Sequence, residues 1–296
     1  MPALALMLAW VLDVGFGEPR NALHPVAWLG QVLGPLGRGL KRLSPAAAFA
    51  GAALAWCGIA VLLGGVAWWL QREWLRWPAW IAVPALALLL KPCFAWRMLR
   101  DEVAAIERAL GEGLAPAQQR LSRIVSRDTS VLDAAAVRET AIETLAENLN
   151  DSVVAPLFWF ALAGLPGAVV YRFANTADAM WGYRGEWEWA GKWAARADDV
   201  LSWLPARLTA LLLGGGAHWR ALQAQSRLTP SPNGGWPMGA MALGLGVRLG
   251  KPGVYVLNAG GRPPDAGDVA GALRIAGRAA FMALGLAVLA TLAWGA

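Results

Sequence analysis

The sequence predicts an all-α, polytopic integral membrane protein with about four or five spanning helices and a polar helical segment forming its site. Three observations carry that expectation. Of the 296 residues, 57% are hydrophobic and 16% are charged, where ordinary globular domains carry roughly 25% charged residues. The mean hydropathy is +0.43. The apolar excess is arranged as Ala, Leu and Trp runs separated by charged stretches, as expected where lipid solvates the outside of helices.

Taken in order, the first element is an apolar run from Pro2 to Leu12. It lacks the basic region of a secretory signal and Asp13 interrupts it, so it reads as a retained hydrophobic segment. Residues 46–70, AAAFAGAALAWCGIAVLLGGVAWWL, form the cleanest spanning segment, 25 residues without a charge. Trp68, Trp69, Trp74, Trp77 and Trp80, mixed with Arg72, Glu73 and Arg76, read as an interfacial band. A re-entering helix from Ala79 to Leu90 follows.

Between Arg97 and Asp151 the chain holds seven Arg and ten acidic residues, so this stretch faces water or lines a polar cavity. Gly111, Gly113 and Pro116 divide it into helices over 97–110 and from Ala117 on. Asp128, Thr129 or Ser130 then caps a helix over 131–149. The apolar run 153–170 is punctuated by Pro156, Gly164, Pro166 and Gly167, and reads either as a broken membrane helix or as two short helices on a protein core. Runs 203–217 and 236–250 are short or Gly-rich, and 279–296 is long enough for a last spanning helix. A single membrane-embedded domain over 1–296 is expected, with 97–151 as a polar helical insertion or lobe within it.

The net charge of +6 suits anionic lipid, the cytoplasmic bias of membrane loops or a phosphate-bearing substrate. No nucleic-acid signature accompanies it. Cys57 and Cys93 have no ligand-like spacing, and two histidines, His24 and His218, are too few and too far apart for a His-based metal site. LGLGVRLGKPG is not a phosphate-binding P-loop, because Pro252 follows Gly250-Lys251.

Three polar clusters exceed what membrane packing requires. Glu139, Glu143 and Glu147 recur every four residues on one helix face, with Asn148 and Asp151 just beyond. Such repulsion is offset either by a divalent cation or by nearby Arg123, Arg127 and Arg138 on a solvated face. Arg172, Asn175 and Asp178 fall three apart after an apolar run, either as part of a site or as a helix-end salt bridge. Arg196, Asp198 and Asp199 enter another apolar segment ahead of Arg207, where adjacent carboxylates suit metal or phosphate–metal contact.

The blocks GEPRNALHPV, IVSRDT, ETLAENLNDSVVAPLFW, GLPGAVVYRFANTADAMWGYR, AARADDVLSWLPARLTALL and SPNGGWPMGAMA, in this order, resemble the membrane-bound adenosylcobinamide-phosphate synthase family of cobalamin biosynthesis. The resemblance spans roughly residues 10–280. It implies a magnesium- and ATP-dependent amide ligase joining adenosylcobyric acid to aminopropanol phosphate or a close amino-alcohol phosphate, at a cell membrane and with its active site on the cytoplasmic side. Other corrinoid-pathway enzymes are implied partners besides membrane lipid. A transporter or binding protein for a corrinoid or another anionic solute is the alternative.

Carried onto this chain, the resemblance implies catalytic roles for Glu143, Glu147, Asp178 and Asp199, and metal contact from Glu147, Asp151, Asp198 and Asp199. Phosphate or substrate contact is implied for Arg123, Arg127, Asp128, Thr129, Asn148, Arg172, Asn175, Thr176, Tyr183, Arg196 and Arg207. His24, Asn233 and Trp236 are implied to hold the corrinoid or a loop over it. This sequence departs from the family pattern at Ser126, usually Gly, at Ser202, commonly Asn, and at Met238, usually acidic.

Overall fold

Pro2, Pro25 and Pro45 each occupy the first position of a helix, where the missing N–H would have no intrahelical partner anyway and the fixed φ already suits the helix. They open α1 (Pro2–Phe16), α2 (Pro25–Leu40) and α3 (Pro45–Trp74). The computed structural model describes residues 1–294, so the last two residues of the expected terminal run lie outside the described residues. After α3 come α4 (Ala79–Leu90), α5 (Trp96–Glu112), α6 (Leu114–Leu121), α7 (Ala134–Leu149), α8 (Ala155–Trp181), α9 (Lys192–Leu201), α10 (Trp203–Leu212), α11 (Trp219–Ser226), α12 (Gly235–Leu245) and α13 (Ala266–Trp294).

Four helical stretches among the described residues are long and apolar enough to cross a bilayer: Pro45–Trp74, Ala79–Glu112, Ala134–Trp181 and Ala266–Ala293. The chain is thus a multi-pass, all-α membrane protein, within the expected range of spans. At 15 residues, α1 reaches about 22 Å, short of the roughly 30 Å hydrocarbon core.

The chain packs as two compact units. The first holds α1–α4, α8, α9 and the chain from Leu284 on. Within it α3, α2 and α9 lie against α8, and α1 against α4. Its core gathers Leu33, Phe173, Ala177, Trp181 and Ala194. The Trp181 indole donates to Leu33 O at 3.1 Å, and Gly37 leaves room for that ring, since a Cβ there would fall 2.3 Å from Trp181 Nε1. Beside this core, Lys91 Nζ lies 3.0 Å from Asp13 Oδ1 and 2.5 Å from Glu18 Oε1, and Glu18 Oε2 is 2.7 Å from His24 Nε2. His24 Nδ1 accepts from Val26 N and so caps α2.

The second unit comprises 96–154 and 203–283. Its centre is α7, packed against α5, α6 and α12, with Val137, Ile142, Leu145 and Leu149 fully buried. Two forked pairs, Arg120–Glu102 and Arg138–Glu107, tie α5 to α6 and α7.

Several elements differ from the sequence expectation. Helix α7 starts at Ala134 and is capped by Asp133, which accepts from Ala136 N at 2.8 Å. Asp128 instead closes a turn by accepting from both the N–H and hydroxyl of Ser130. Helix α6 starts at Leu114, because Pro116 falls in its first turn, where no N–H is needed. The punctuated run is one helix, α8, broken at Gly164 (φ 67°, ψ −156°) and joined to α7 by a π-helical turn, Asn150–Val154. The Gly-rich stretch after α12 forms a two-stranded antiparallel hairpin, β1 (Leu249–Lys251) and β2 (Tyr255–Leu257), with Leu249 opposite Leu257.

Candidate functional site

Helix α7 presents Glu139, Glu143 and Glu147 on one face, as their spacing requires. Glu139 and Glu143 do not form a solvated face: they are 8% and 2% exposed. Each has an arginine. Arg248 donates to Glu139 Oε1 at 3.1 Å, and Arg127 donates to Glu143 Oε2 at 3.1 Å and to Thr140 Oγ1 at 3.3 Å. Arg127 is one of the arginines that the sequence offers; Arg138 goes to Glu107 instead, and Arg123 is exposed.

The C-terminal end of this face borders a cavity of about 310 Å³ within the second unit. Arg127, Glu143, Thr144, Glu147 and Asn148 form one wall, Ser231, Gly234 and Met238 another, and Lys251 and Tyr255 of the hairpin a third. Glu147, unlike its two predecessors, is exposed. The Asn148 amide N–H is donated to Thr144 O at 3.0 Å, which leaves its carbonyl oxygen as an acceptor. Burial pushes the Tyr255 phenol well above its ordinary value, and the charge of Glu143 and a hydrogen bond to it push the same way, so this hydroxyl remains a donor. It donates to Met238 Sδ at 3.7 Å.

The cavity thus combines two cations, Arg127 and Lys251, with an accessible carboxylate and several neutral donors, a set suited to phosphate and to proton transfer beside it. Lys251 and Tyr255 were not singled out from sequence. Their signal was the Pro252-Gly253 turn between two short β-compatible runs, with Gly253 at φ 70°.

The other sequence-derived residues of this unit sit around the cavity or apart from it. Arg207 Nη1 donates to Asn233 Oδ1 at 2.9 Å and to Trp203 O at 2.7 Å, and its guanidinium carbon lies 4.3 Å and 4.8 Å from the ring centroids of Trp203 and Trp236. Asn233 therefore orders the loop whose next residue, Gly234, lines the cavity. Thr129 is buried and donates to Gln118 O at 2.9 Å. Asp128 is exposed, and its hydrogen bonds from Ser130 hold the carboxyl below the usual range. Asp151 accepts from Asn150 Nδ2 at 2.8 Å.

In the first unit, His24 belongs to the Lys91 network, and Arg172, Asn175, Thr176 and Asp178 lie on the second half of α8, where Thr176 Oγ1 donates to Arg172 O at 2.7 Å. Tyr183 is exposed beyond that helix. On α9, Arg196 is exposed, Asp198 is half-buried, and burial pushes the carboxyl of Asp199 upward against the opposing charge of Arg196. Ser202 is buried and hydrogen-bonded to the Tyr171 hydroxyl at 3.0 Å. Among the described residues no three His, Cys, Asp or Glu side chains converge as a group able to hold a metal by themselves.

Comparison with known proteins places these observations. A family described as CobD/Cbib protein matches residues 6–277. The chain is 44% identical over 275 residues to a probable cobalamin biosynthesis protein CobD of Thermococcus kodakarensis, covering 91% of this chain and 88% of the relative. It is 38% identical over 272 residues to cobalamin biosynthesis protein CobD of Dehalococcoides mccartyi, covering 88% of each. With cobalamin biosynthesis protein CbiB of Salmonella typhi it shares 37% over 268 residues, covering 86% of this chain and 84% of the relative. No solved structure matches.

Proposed function

The chain belongs to the CobD/Cbib protein family, and we propose that it is a membrane enzyme of cobalamin biosynthesis that joins adenosylcobyric acid to aminopropanol phosphate, or a close amino-alcohol phosphate, at the expense of ATP. The observation that supports this most directly is the second unit's cavity, where Arg127 and Lys251 flank the open carboxylate of Glu147.

A carboxylate is a poor electrophile. In the proposed reaction its oxygen attacks the γ-phosphorus of ATP and ADP leaves, giving an acyl phosphate. The amine nitrogen then attacks the acyl carbon, and inorganic phosphate leaves as the amide forms. Arg127, oriented by Glu143 and Thr140, and Lys251 offset charge on the phosphate groups. Glu147 takes the proton that the attacking ammonium must lose. The Asn148 carbonyl and Tyr255 hydroxyl orient polar groups between them.

The donor set fits magnesium in the way this ion is usually held, by one or two carboxylates with substrate phosphate and water completing the shell. One oxygen of Glu147 and the Asn148 carbonyl would hold it, the other Glu147 oxygen staying free to accept the ammonium proton. When bound, it supplies neutralisation of phosphoryl charge. Roles for Asp151, Asp178, Asp198, Asp199, Arg172 and Arg196 rest on the family resemblance alone.

The test is reconstitution of the purified protein with adenosylcobyric acid, aminopropanol phosphate and magnesium-ATP, following amide product by mass spectrometry together with ADP release. Stoichiometric amide and ADP are expected. Folded protein that yields neither overturns the ligase reading, and corrinoid flux into liposomes without ATP consumption would replace it with a solute carrier.

A further inference from the structure

The first unit has its own cavity, about 240 Å³, among α2, α3, α4 and α8. Its walls include Leu29, Leu63, Leu88, Leu89 and Val169, and Arg172 is the one charged residue among those that line it. Arg172 Nε is fully buried with no hydrogen-bond acceptor among the described residues. Glu18 is held by Lys91 and His24.

A guanidinium nitrogen buried without an acceptor beside an apolar cavity is costly, more so in a chain that lies in lipid. An anionic group in the cavity would supply the missing acceptor. Leu88 and Leu89 line the cavity and are exposed on α4 within the spanning stretch Ala79–Glu112, a position suited to contact with acyl chains. The cavity is too small for a whole lipid but suits a phosphate and the chain segments nearest to it, the remainder staying in the bilayer.

We propose that this cavity binds an anionic phospholipid, with phosphodiester oxygens on Arg172 and acyl methylenes along Leu63, Leu88, Leu89 and Val169. No carboxylate lines the cavity to receive an ammonium headgroup, so phosphatidylglycerol is preferred over phosphatidylethanolamine.

The experiment uses the full-length protein, delipidated in detergent and titrated with dioleoylphosphatidylglycerol or dioleoylphosphatidylethanolamine, with bound lipid read by native mass spectrometry. At least tenfold tighter retention of phosphatidylglycerol is expected. Arg172→Gln should abolish the preference. Val169→Phe, which fills the cavity and keeps the cation, should weaken phosphatidylglycerol retention about tenfold while the melting profile stays cooperative. Equal retention of the two lipids, undiminished retention in both variants, or displacement of the lipid by millimolar inorganic phosphate would each overturn the proposal; the last would show that Arg172 takes a free phosphate.

Discussion

Gln71 Oε1 accepts a hydrogen bond of 2.6 Å from the backbone N–H of Leu165, one residue past the break at Gly164. A helix interrupted within a spanning segment frees backbone donors that lipid cannot satisfy. Here a glutamine from α3 supplies the acceptor, and glycine supplies a backbone conformation that is essentially closed to other residues.

Gln71→Leu should therefore cost about 1–3 kcal/mol through the orphaned N–H. Gly164→Ala should cost at least as much, because the backbone strain of about 1–3 kcal/mol is joined by a Cβ placed 2.6 Å from Gln71 Oε1. As the alanine also displaces the glutamine, the two losses overlap, and the double variant should be more stable than their sum implies. Denaturation in mild detergent, followed by tryptophan fluorescence, measures all three; simple additivity would mean that Gln71 does not serve the break.

Lys91 joins Asp13, which is fully buried, to Glu18. Lys91→Met should destabilise the fold by about 3–5 kcal/mol, because it leaves the buried Asp13 carboxylate without its cation. Adding Asp13→Asn to that variant should restore part of the loss, since the uncompensated charge rather than the missing pair is what costs. Cooperative melting temperatures of the three proteins decide the matter. No recovery in the double variant would place the cost in packing of the lysine stem.

What was readable in the sequence depended on whether the signal was local. The spanning segment at 46–70 and the limits of α4 followed from uninterrupted apolar runs, and their ends need only adjacent residues. The four-residue spacing of Glu139, Glu143 and Glu147 was likewise visible. Their partners were only partly so: Arg127 is near in sequence, whereas Arg248 meets Glu139 across 109 residues. The place where α7 starts depended on which acid was free to cap, and Asp128 had already been committed to Ser130. Lys251 and Tyr255 reach the cavity only because the hairpin packs back on α7, a tertiary event that no local pattern encodes.

Within the cavity, Glu147→Gln should lower kcat about 10²–10⁴-fold, the range for loss of a general base, with folding unchanged because that side chain is exposed. Arg127→Lys keeps the charge but loses the forked contact to Glu143 and Thr140, so it should raise KM for the proposed amino-alcohol phosphate substrate more than it lowers kcat. Steady-state kinetics on the reconstituted enzyme separate the two. Wild-type kinetics for Glu147→Gln would move proton transfer to another residue.

Tyr255 links the cavity to stability at alkaline pH. Burial first, and the neighbouring Glu143 charge second, hold its phenol above the ordinary tyrosine value of about 10. The folded state therefore keeps a proton that the unfolded chain gives up. Its contribution is fully present below about pH 10 and is lost as pH rises toward the folded value. Tyr255→Phe removes this ionisation. Its melting temperature should start lower, through loss of the hydroxyl contacts, yet fall less steeply than that of the parent above about pH 10. Parallel alkaline limbs for the two proteins would show that the hydroxyl titrates normally, and the pairing of Tyr255 with Glu143 would then have no bearing on how the cavity holds its protons.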